Sequence, residues 1–459
     1  MLVEQYTTDK RFEELLGYLP ELSPKLKKID RYLDDEKLYK MIRADLAKRY
    51  PKTKETGRNS TPVEVVLRML VVKRLYGYSY EETERVVRDS LSLRAFCRVY
   101  LQDVPDDTTL IRWANLIQPK TLETFNQRVV QLAVEHKVTK GRKLRTDGTV
   151  VEANIRPPSD SRLLADGVRV LTRTILRGQV VLRTVGQKIQ SGFEDGTQQA
   201  KQLARQIGET LRSKKETAQN AGKQIYQELL HLTEQTIAWA EQTQTQLQKR
   251  SEQRSKCLAE TLAHFVPLVQ QVIQQTTRRV LQGEQVPAVE KIVSLFEEHT
   301  DIIRRGKEAR PVEYGHKVWL NEVEGGLVSH YRILKGNPSD EQQWKPSLKA
   351  HLKTFHQPPH QASGDRGLFS ERNEQLAHNL GVKRVILPKQ GYRSKARLKH
   401  EHKAWFVKGR HWHVGVEGRI SVLKRAHDLG RCLAHGLTGF HCWVGWGVIA
   451  GNLAVLGRT

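Results

Sequence analysis

Acidic charge is in short supply. The 459 residues hold 51 Asp and Glu against 76 Lys and Arg, a formal net charge of +25 with a pI near 9.9. That imbalance excludes a surface built to attract small cations. It points to a polyanionic partner, nucleic acid first and an anionic membrane surface second. Cysteine is scarce too. Cys97, Cys257, Cys432 and Cys442 are too few and too scattered for a disulfide framework, which fits a reducing compartment. The opening segment MLVEQYTTDKRFEELL has charges throughout and no apolar core, so no signal peptide is expected. Long apolar runs are missing except from Leu433 to Gly457, which has no Asp, Glu, Lys or Arg. That run contains His435, His441, Asn452 and six glycines, so it reads as a buried helix rather than a span. What remains, 38% hydrophobic and 28% charged residues, supports real cores, about three of them at roughly 150 residues per domain.

Proline is absent from Ser159 to Val266. This block is rich in Gln, Lys, Arg, Glu and Ala, with Ile225, Leu229, Leu232 and Ile237 at helical spacing. It predicts an all-α, coiled-coil-like insertion over 159–311, either a spacer or an arm that dimerises or bridges DNA. Residues 1–60 form a charged helical segment ending in the basic linker KTKETGRNS. In 61–135, Thr61, Pro62 and Glu64 suggest a capped helix start with a first-turn proline, and Gly77 a stop. Ser79 with Glu82 repeats the capping pattern, and a third helix is expected at Asp107. Short helices with tight turns in a basic chain suggest a helix-turn-helix-like DNA-binding module, although any small bundle has the same pattern.

Strand character returns around RKLRTDGTVVEANI and after Arg310. KVWLNEV and LVSHYRIL flank a Gly325-Gly326 turn, a hairpin signal. NPSDEQQW starts a helix, and VKRVILP reads as a buried strand ended by Pro388. GYRSKARLKHEHK reads as a basic loop, and the chain is helical again from about Val414. Strand, hairpin, helix, strand, strand, helix is the order of a ribonuclease-H-like α/β fold, the retroviral-integrase-like type. Its parts are 136–158 and 312–459. Such a sheet gathers carboxylates from separate strands and one helix around two divalent ions. Mg²⁺ takes hard oxygen ligands, and a metal pair promotes in-line phosphoryl displacement.

The segments PVEVVLRMLVVKRLYGYSYEETERVV, VPDDTTLIRWANLI, LRTDGTVVEANIRPPSDSRLL, EEHTDIIRRGK, YGHKVWL, GNPSD, SGDRGLFSERNEQLAHNLGVKRVILPKQG and GVEGRISVLKR follow one another over roughly residues 61 to 455. In that order they resemble bacterial insertion-sequence transposases of the DDE class, in the broad group around the IS5, IS1182 and ISNCY families. The resemblance implies catalytic, metal-binding acids at Asp147, Asp365 and Glu417, separated by 365 − 147 = 218 and 417 − 365 = 52 residues. Some relatives place their insertion after the second acid instead. Related families often carry a Tyr, Arg, Glu and Lys signature around the third acid. Glu417 and Lys424 match it, while Arg410 and His413 stand where its Tyr and Arg would be. The resemblance further implies binding of terminal inverted repeats and target DNA as a homodimer. It also implies two Mg²⁺ ions, or Mn²⁺ in their place, end cleavage with strand transfer, and a bacterial cytoplasmic, nucleoid-associated location.

By residue type alone, Asp147 is unusual in mid-strand, Asp365 lies in a turn, and Glu417 sits beside a buried stripe of Val416, Ile420 and Leu423. Asp160, Asp340 and Asp428 read as turn, capping or solvated acids, and Glu152 as a distant alternative ligand. Arg366, Lys395, Arg397, Arg410, Lys424 and Arg112 are candidate DNA contacts. Trp405 and Trp412 are either core aromatics or stacking platforms for unpaired bases. Cys432, His435, His441 and Cys442 have zinc-ligand types in a spacing that fits packing better. Two other functions stay open: an inactive DNA-binding derivative, and a nuclease of the same fold without strand transfer.

Overall fold

The computed structural model describes residues 1–7, 9–17, 23–49, 59–184, 192–212, 216–304 and 311–459. Most of the basic linker KTKETGRNS lies outside them. The chain forms two compact units, Met1–Asn154 with Ile303–Thr459, and Ile155–Ile302.

The first unit begins with helices α1 (Lys10–Gly17), α2 (Pro24–Leu33), α3 (Glu36–Leu46), α4 (Val63–Tyr76), α5 (Tyr80–Asp89), α6 (Leu91–Phe96), α7 (Asp107–Ala114) and α8 (Pro119–Glu135). Local chemistry sets their ends. Ser79 and Glu82 form a reciprocal capping box on α5, Asp106 caps α7, and Gly77 ends α4 at φ 71°. The expected cap at Thr61 is replaced. Pro62 itself precedes α4 without a side-chain cap, and Glu64 turns to the buried Arg68, 3.0 Å away. Arg68 is 1% exposed and also needs Asp30 and Asp34, because a buried guanidinium must be paired on every side.

Strand β1 (Lys143–Glu152) follows, and the second unit interrupts the chain. The first unit resumes with β2 (Asp301–Arg304), β3 (Val312–Val323), β4 (Leu327–Leu334), α13 (Trp344–Phe355), β5 (Gln361–Ser363), α14 (Glu371–Asn379), β6 (Arg384–Ile386), α15 (Lys395–Glu401), α16 (Ala404–Ala426) and α17 (Gly436–Leu456). The numbers between, α9 to α12, belong to the second unit. The sheet reads β4-β3-β1-β5-β6, with β2 also beside β3. β3 is antiparallel to both β1 and β4, and β5 is parallel to both β1 and β6. The hairpin β3–β4 turns at Gly325 and Gly326, both with positive φ.

Alternation along β1 divides the two faces. Leu144, Trp319, Trp344, Leu348, Ala362 and Leu368 share one buried cluster on the α13 side. Val151, Val318, Leu320, Leu423 and Val444 share another on the side of α16 and α17. α17 is long and apolar enough to cross a membrane by length and composition, yet most of its apolar window is buried in this unit. Its Asn452 accepts from Val328 N at 2.8 Å and donates to Asn126 Oδ1 at 2.8 Å. That bridge joins α17 to β4 and α8. Trp446, Ile449 and Leu453 continue the core of α2, α3, α4 and α8. The helices of 63–135 therefore share one core with the last helix and with Val323 and Leu327 of the hairpin.

The second unit contains α9 (Asp160–Thr184), α10 (Thr197–Thr210), α11 (Glu216–Gln248) and α12 (Gln253–Thr276). α9 packs on α10, α11 and α12, around a core that includes Leu171, Ile175, Leu203, Leu229, Leu262 and Val269. It is a bundle rather than the expected hairpin or coiled coil. α9 is apolar on too wide a face to be satisfied by one partner.

Candidate active site

Asp147 lies on β1, and Asp365 lies just beyond β5. Parallel pairing sets Arg145 against Ser363, so Asp147 and Asp365 each stand two residues further along adjoining strands. Asp147 shares the parity of Arg145, which faces α16, whereas Asp365 lies in the turn past the end of β5, beside Gly367 and Asp340. Arg145 forms a cross-strand ion pair with Glu322 at 2.6 Å, donates to Trp412 O, and lies 4.7 Å from the Trp412 ring. His413 Nδ1 is 3.3 Å from Ser363 Oγ.

These contacts set the level of Glu417. Gly409 abuts Gln361 and Ile386, His413 meets Ser363, and Leu423 shares the buried cluster of Val151. α16 therefore runs in the direction of β1 and β5. One helical turn of four residues rises about 6 Å, and two strand residues about 6.6 Å. By those rises, the residue one turn beyond His413, and about level with Asp147 on β1, is Glu417. It is exposed, while its neighbour Val416 is buried. Among the described residues no three His, Cys, Asp or Glu side chains stand close enough to share one metal ion. The three acids do not close into a ligand shell.

α16 runs without a break from Ala404 through Gly409 and Gly415, rather than starting at about Val414. The glycines serve close approach. A Cβ at Gly409 would stand 2.6 Å from Ile386 Cγ1, and one at Gly415 would run into Arg145 Nη1. Arg410, Glu417 and Lys424 consequently share one face, seven residues apart.

Asp365 has a charged environment that its sequence context did not reveal. Its Oδ1 accepts from Gly367 N at 3.0 Å. A Cβ on Gly367 would lie 3.4 Å from Asp365 Oδ1 and 3.5 Å from Asp340 Oδ2, so the two carboxylates flank one glycine. Asp340 is not the cap of the segment it opens. It pairs with Lys317 Nζ, which also donates to Pro338 O at 3.1 Å. Burial, with Asp340 beside it, raises the Asp365 carboxyl above its ordinary range. The Gly367 and Leu368 amides and Lys317 oppose the rise. The segment GNPSD contained the only sequence signal for Asp340. Burial pushes His413 down to about 4, with Arg145 adding to the effect, so it stays neutral and ties α16 to β5.

The other candidates separate. Arg366, Lys395, Arg410 and Arg112 are exposed, on the turn after Asp365, α15, α16 and α7, and Lys424 is half-buried. Arg397 is committed internally to Glu374, Glu401 and the Leu387 carbonyl, and it lies over Phe369. The expected basic loop around it is in part helix α15, capped by Ser394. Trp405 packs on His400 and Phe406, and Trp412 lies against Arg145. Glu152, five residues from Asp147, faces the other way and meets Arg431 at 3.7 Å. Asp160 is buried against Gln275 and Arg279, and Asp428 pairs with the buried Arg74. Cys432, His435, His441 and Cys442 form no metal-binding group among the described residues.

Residues 4–116 match the family described as transposase domain (DUF772). That match, over 113 of the 459 residues, is to a transposase domain and singles out no particular insertion-sequence group. No curated protein and no solved structure matches the chain.

Proposed function

We propose that the protein is a DDE transposase with a ribonuclease-H-like catalytic domain. It binds terminal inverted repeats as a homodimer, cleaves the element ends and transfers them to target DNA in the bacterial cytoplasm. The observation that supports the reading is the placement of Asp147 on β1 and Asp365 just past the adjoining β5, with α16, which carries Glu417, packed on both strands. It stands in a chain whose residues 4–116 match a transposase domain. The strand order, with its antiparallel then parallel pairings, supports the fold.

Hard carboxylate oxygens suit Mg²⁺ or Mn²⁺, and the raised Asp365 carboxyl marks a place where a cation relieves repulsion. Asp147, Asp365 and Glu417 would hold the ions, which supply Lewis-acid activation of the attacking and leaving oxygens. The chain's own groups do the rest. Lys317 balances Asp340, the Gly367 amide fixes Asp365, and neutral His413 sets the helix level. Exposed Arg366, Arg410 and Lys395 would hold phosphates near the acids. The open arrangement of the acids is the one observation that favours an inactive derivative.

One assay decides between the readings. Purified protein is incubated with Mg²⁺ and duplexes carrying the repeats that flank its coding region. Cleavage at the repeat end, with joining of the new 3′ end to a second duplex, is the expected result. Cleavage without joining identifies a nuclease, and binding without cleavage an inactive derivative.

A further inference from the structure

The second unit carries a basic surface that the catalytic reading does not use. On α9, Arg162, Arg169, Arg173, Arg177 and Arg183 are all exposed. At 3.6 residues per turn they fall within a sector of about 120°. From Arg162 to Arg183 the row runs about 31 Å at 1.5 Å per residue, comparable with the roughly 34 Å of one turn of duplex DNA. The one acid on that face, Asp166, pairs with Arg169 at 2.8 Å. The guanidinium groups of Arg162, Arg173, Arg177 and Arg183 make no hydrogen bond or ion pair with any described residue. The opposite face of α9 holds Gly167 and Gly178, whose missing Cβ atoms admit Val269 of α12 and Thr243 of α11. The bundle is built on that face, and the arginines are turned outward.

Exposed charges elsewhere in the bundle are mixed, Arg205 with Glu209 on α10 and Lys256 with Glu260 on α12, whereas the outer face of α9 carries one acid, and that acid is paired. The exposed positions of α11 include Lys223 and His231 beside the acids Glu228, Glu234 and Glu241 and several glutamines. Four unpaired guanidinium groups in a row repel one another unless an anion lies over them. A second copy of the same row would add to the repulsion, so self-association through this face is unfavourable.

We infer that the outer face of α9 is a sequence-independent binding surface for the phosphate backbone of duplex DNA, separate from the acids of the sheet. The inference rests on the reading of the chain as a DNA-acting transposase, and it gives the inserted bundle the task of holding DNA. Arginine suits the role because its fork donates two bonds to one phosphate.

The test uses the full chain and a fluorescent 30-base-pair duplex of arbitrary sequence, with anisotropy measured over a range of NaCl concentrations. The stripe variant replaces Arg162, Arg173, Arg177 and Arg183 with Gln. A charge-matched control replaces Lys201, Lys223, Arg254 and Lys256, exposed elsewhere in the same bundle. All eight sites are exposed, so folding is expected to survive, and circular dichroism checks it. Each lost phosphate contact reduces the slope of log K against log salt by about 0.9, so the stripe variant should lose about 3 to 4 of slope. The control should retain nearly all of it. Equal effects from the two variants mean that only net charge matters and overturn the inference. An unchanged slope in the stripe variant, with wild-type binding intact, overturns it and leaves the transposase reading standing. Failure of wild-type protein to bind any duplex overturns both. Tighter binding to single-stranded RNA than to duplex DNA overturns the choice of partner.

Discussion

Asp365 carries a carboxyl that its surroundings disfavour in the ionised form. It is largely buried, Asp340 stands across Gly367, and its carboxyl is raised above its ordinary value. A raised folded-state value means that the ionised form opposes folding. The opposition is absent below the ordinary aspartate value near about 3.9 and fully present above the raised one. Asp365→Asn should therefore raise the melting temperature at pH 8, with the gain shrinking as the pH drops to 4. Calorimetry at the two pH values checks this. A lower melting temperature at pH 8 would mean that the two backbone amides outweigh burial and Asp340. Glu417 tests the chemistry instead. It is exposed and a helix-face Gln is a good helix former, so Glu417→Gln should leave folding and DNA binding within error. Mg²⁺-dependent end cleavage should fall by more than about a hundredfold, a loss that even outer-shell partners of metal ligands can cause. Cleavage near the wild-type rate would remove Glu417 from the site. The three acids are candidates that the sequence offers, because a carboxylate in mid-strand, in a turn and beside an apolar stripe each stands out and the family resemblance orders them. Asp340 was not legible there, because its partners Lys317 and Asp365 are distant in sequence and only the sheet brings them near.

α16 carries the geometry of the site, and its glycines are not equivalent. Gly409 packs on buried Ile386, where a Cβ must push a core side chain aside. Gly418 has open space around it. Overpacking costs about 1–3 kcal/mol, while replacing helical Gly by Ala gains about 0.8–1 kcal/mol. Gly409→Ala should thus be neutral to destabilising by about 2 kcal/mol, and Gly418→Ala stabilising by up to about 1 kcal/mol. Urea unfolding of the two variants separates close approach from simple helix propensity. Equal effects would mean that α16 does not rest on β6 through Gly409. Sequence periodicity located the hairpin, β6 and the capped helices, because turns and caps act over three or four residues. It misjudged the start of α16 and the loop before it, because the reason for Gly409 and Gly415 lies across the sheet and Arg397 is satisfied by Glu374, 23 residues away.

The chain as a whole separates its hydrophobic interiors cleanly. The buried clusters around the sheet and the N-terminal helices contain no residue between 155 and 302, and the bundle cluster contains only residues within that span. Neither interior depends on apolar surface from the other, so each unit should fold alone. Replacing 155–302 by a flexible linker requires only that the end of β1 reach β2. The two strands lie on opposite sides of β3, a lateral separation of about 10 Å at roughly 4.8 Å per strand spacing. Eight Gly and Ser residues span about 15 Å on average, which suffices. The shortened protein should melt in one cooperative transition and, if its acids do the chemistry, cut a terminal duplex in Mg²⁺ at low salt. Its affinity for duplex DNA should drop most at low salt, where the lost arginine row contributes most, and its salt slope should be shallower. The isolated bundle, expressed by itself, should show high helicity and bind duplex without cutting it. If the shortened protein instead unfolds, or aggregates with the sheet intact in no preparation, the bundle supplies stability that its separate core does not reveal. If it folds and still binds DNA with the wild-type salt slope, the bundle is a spacer, and the surplus of positive charge must act from the first unit.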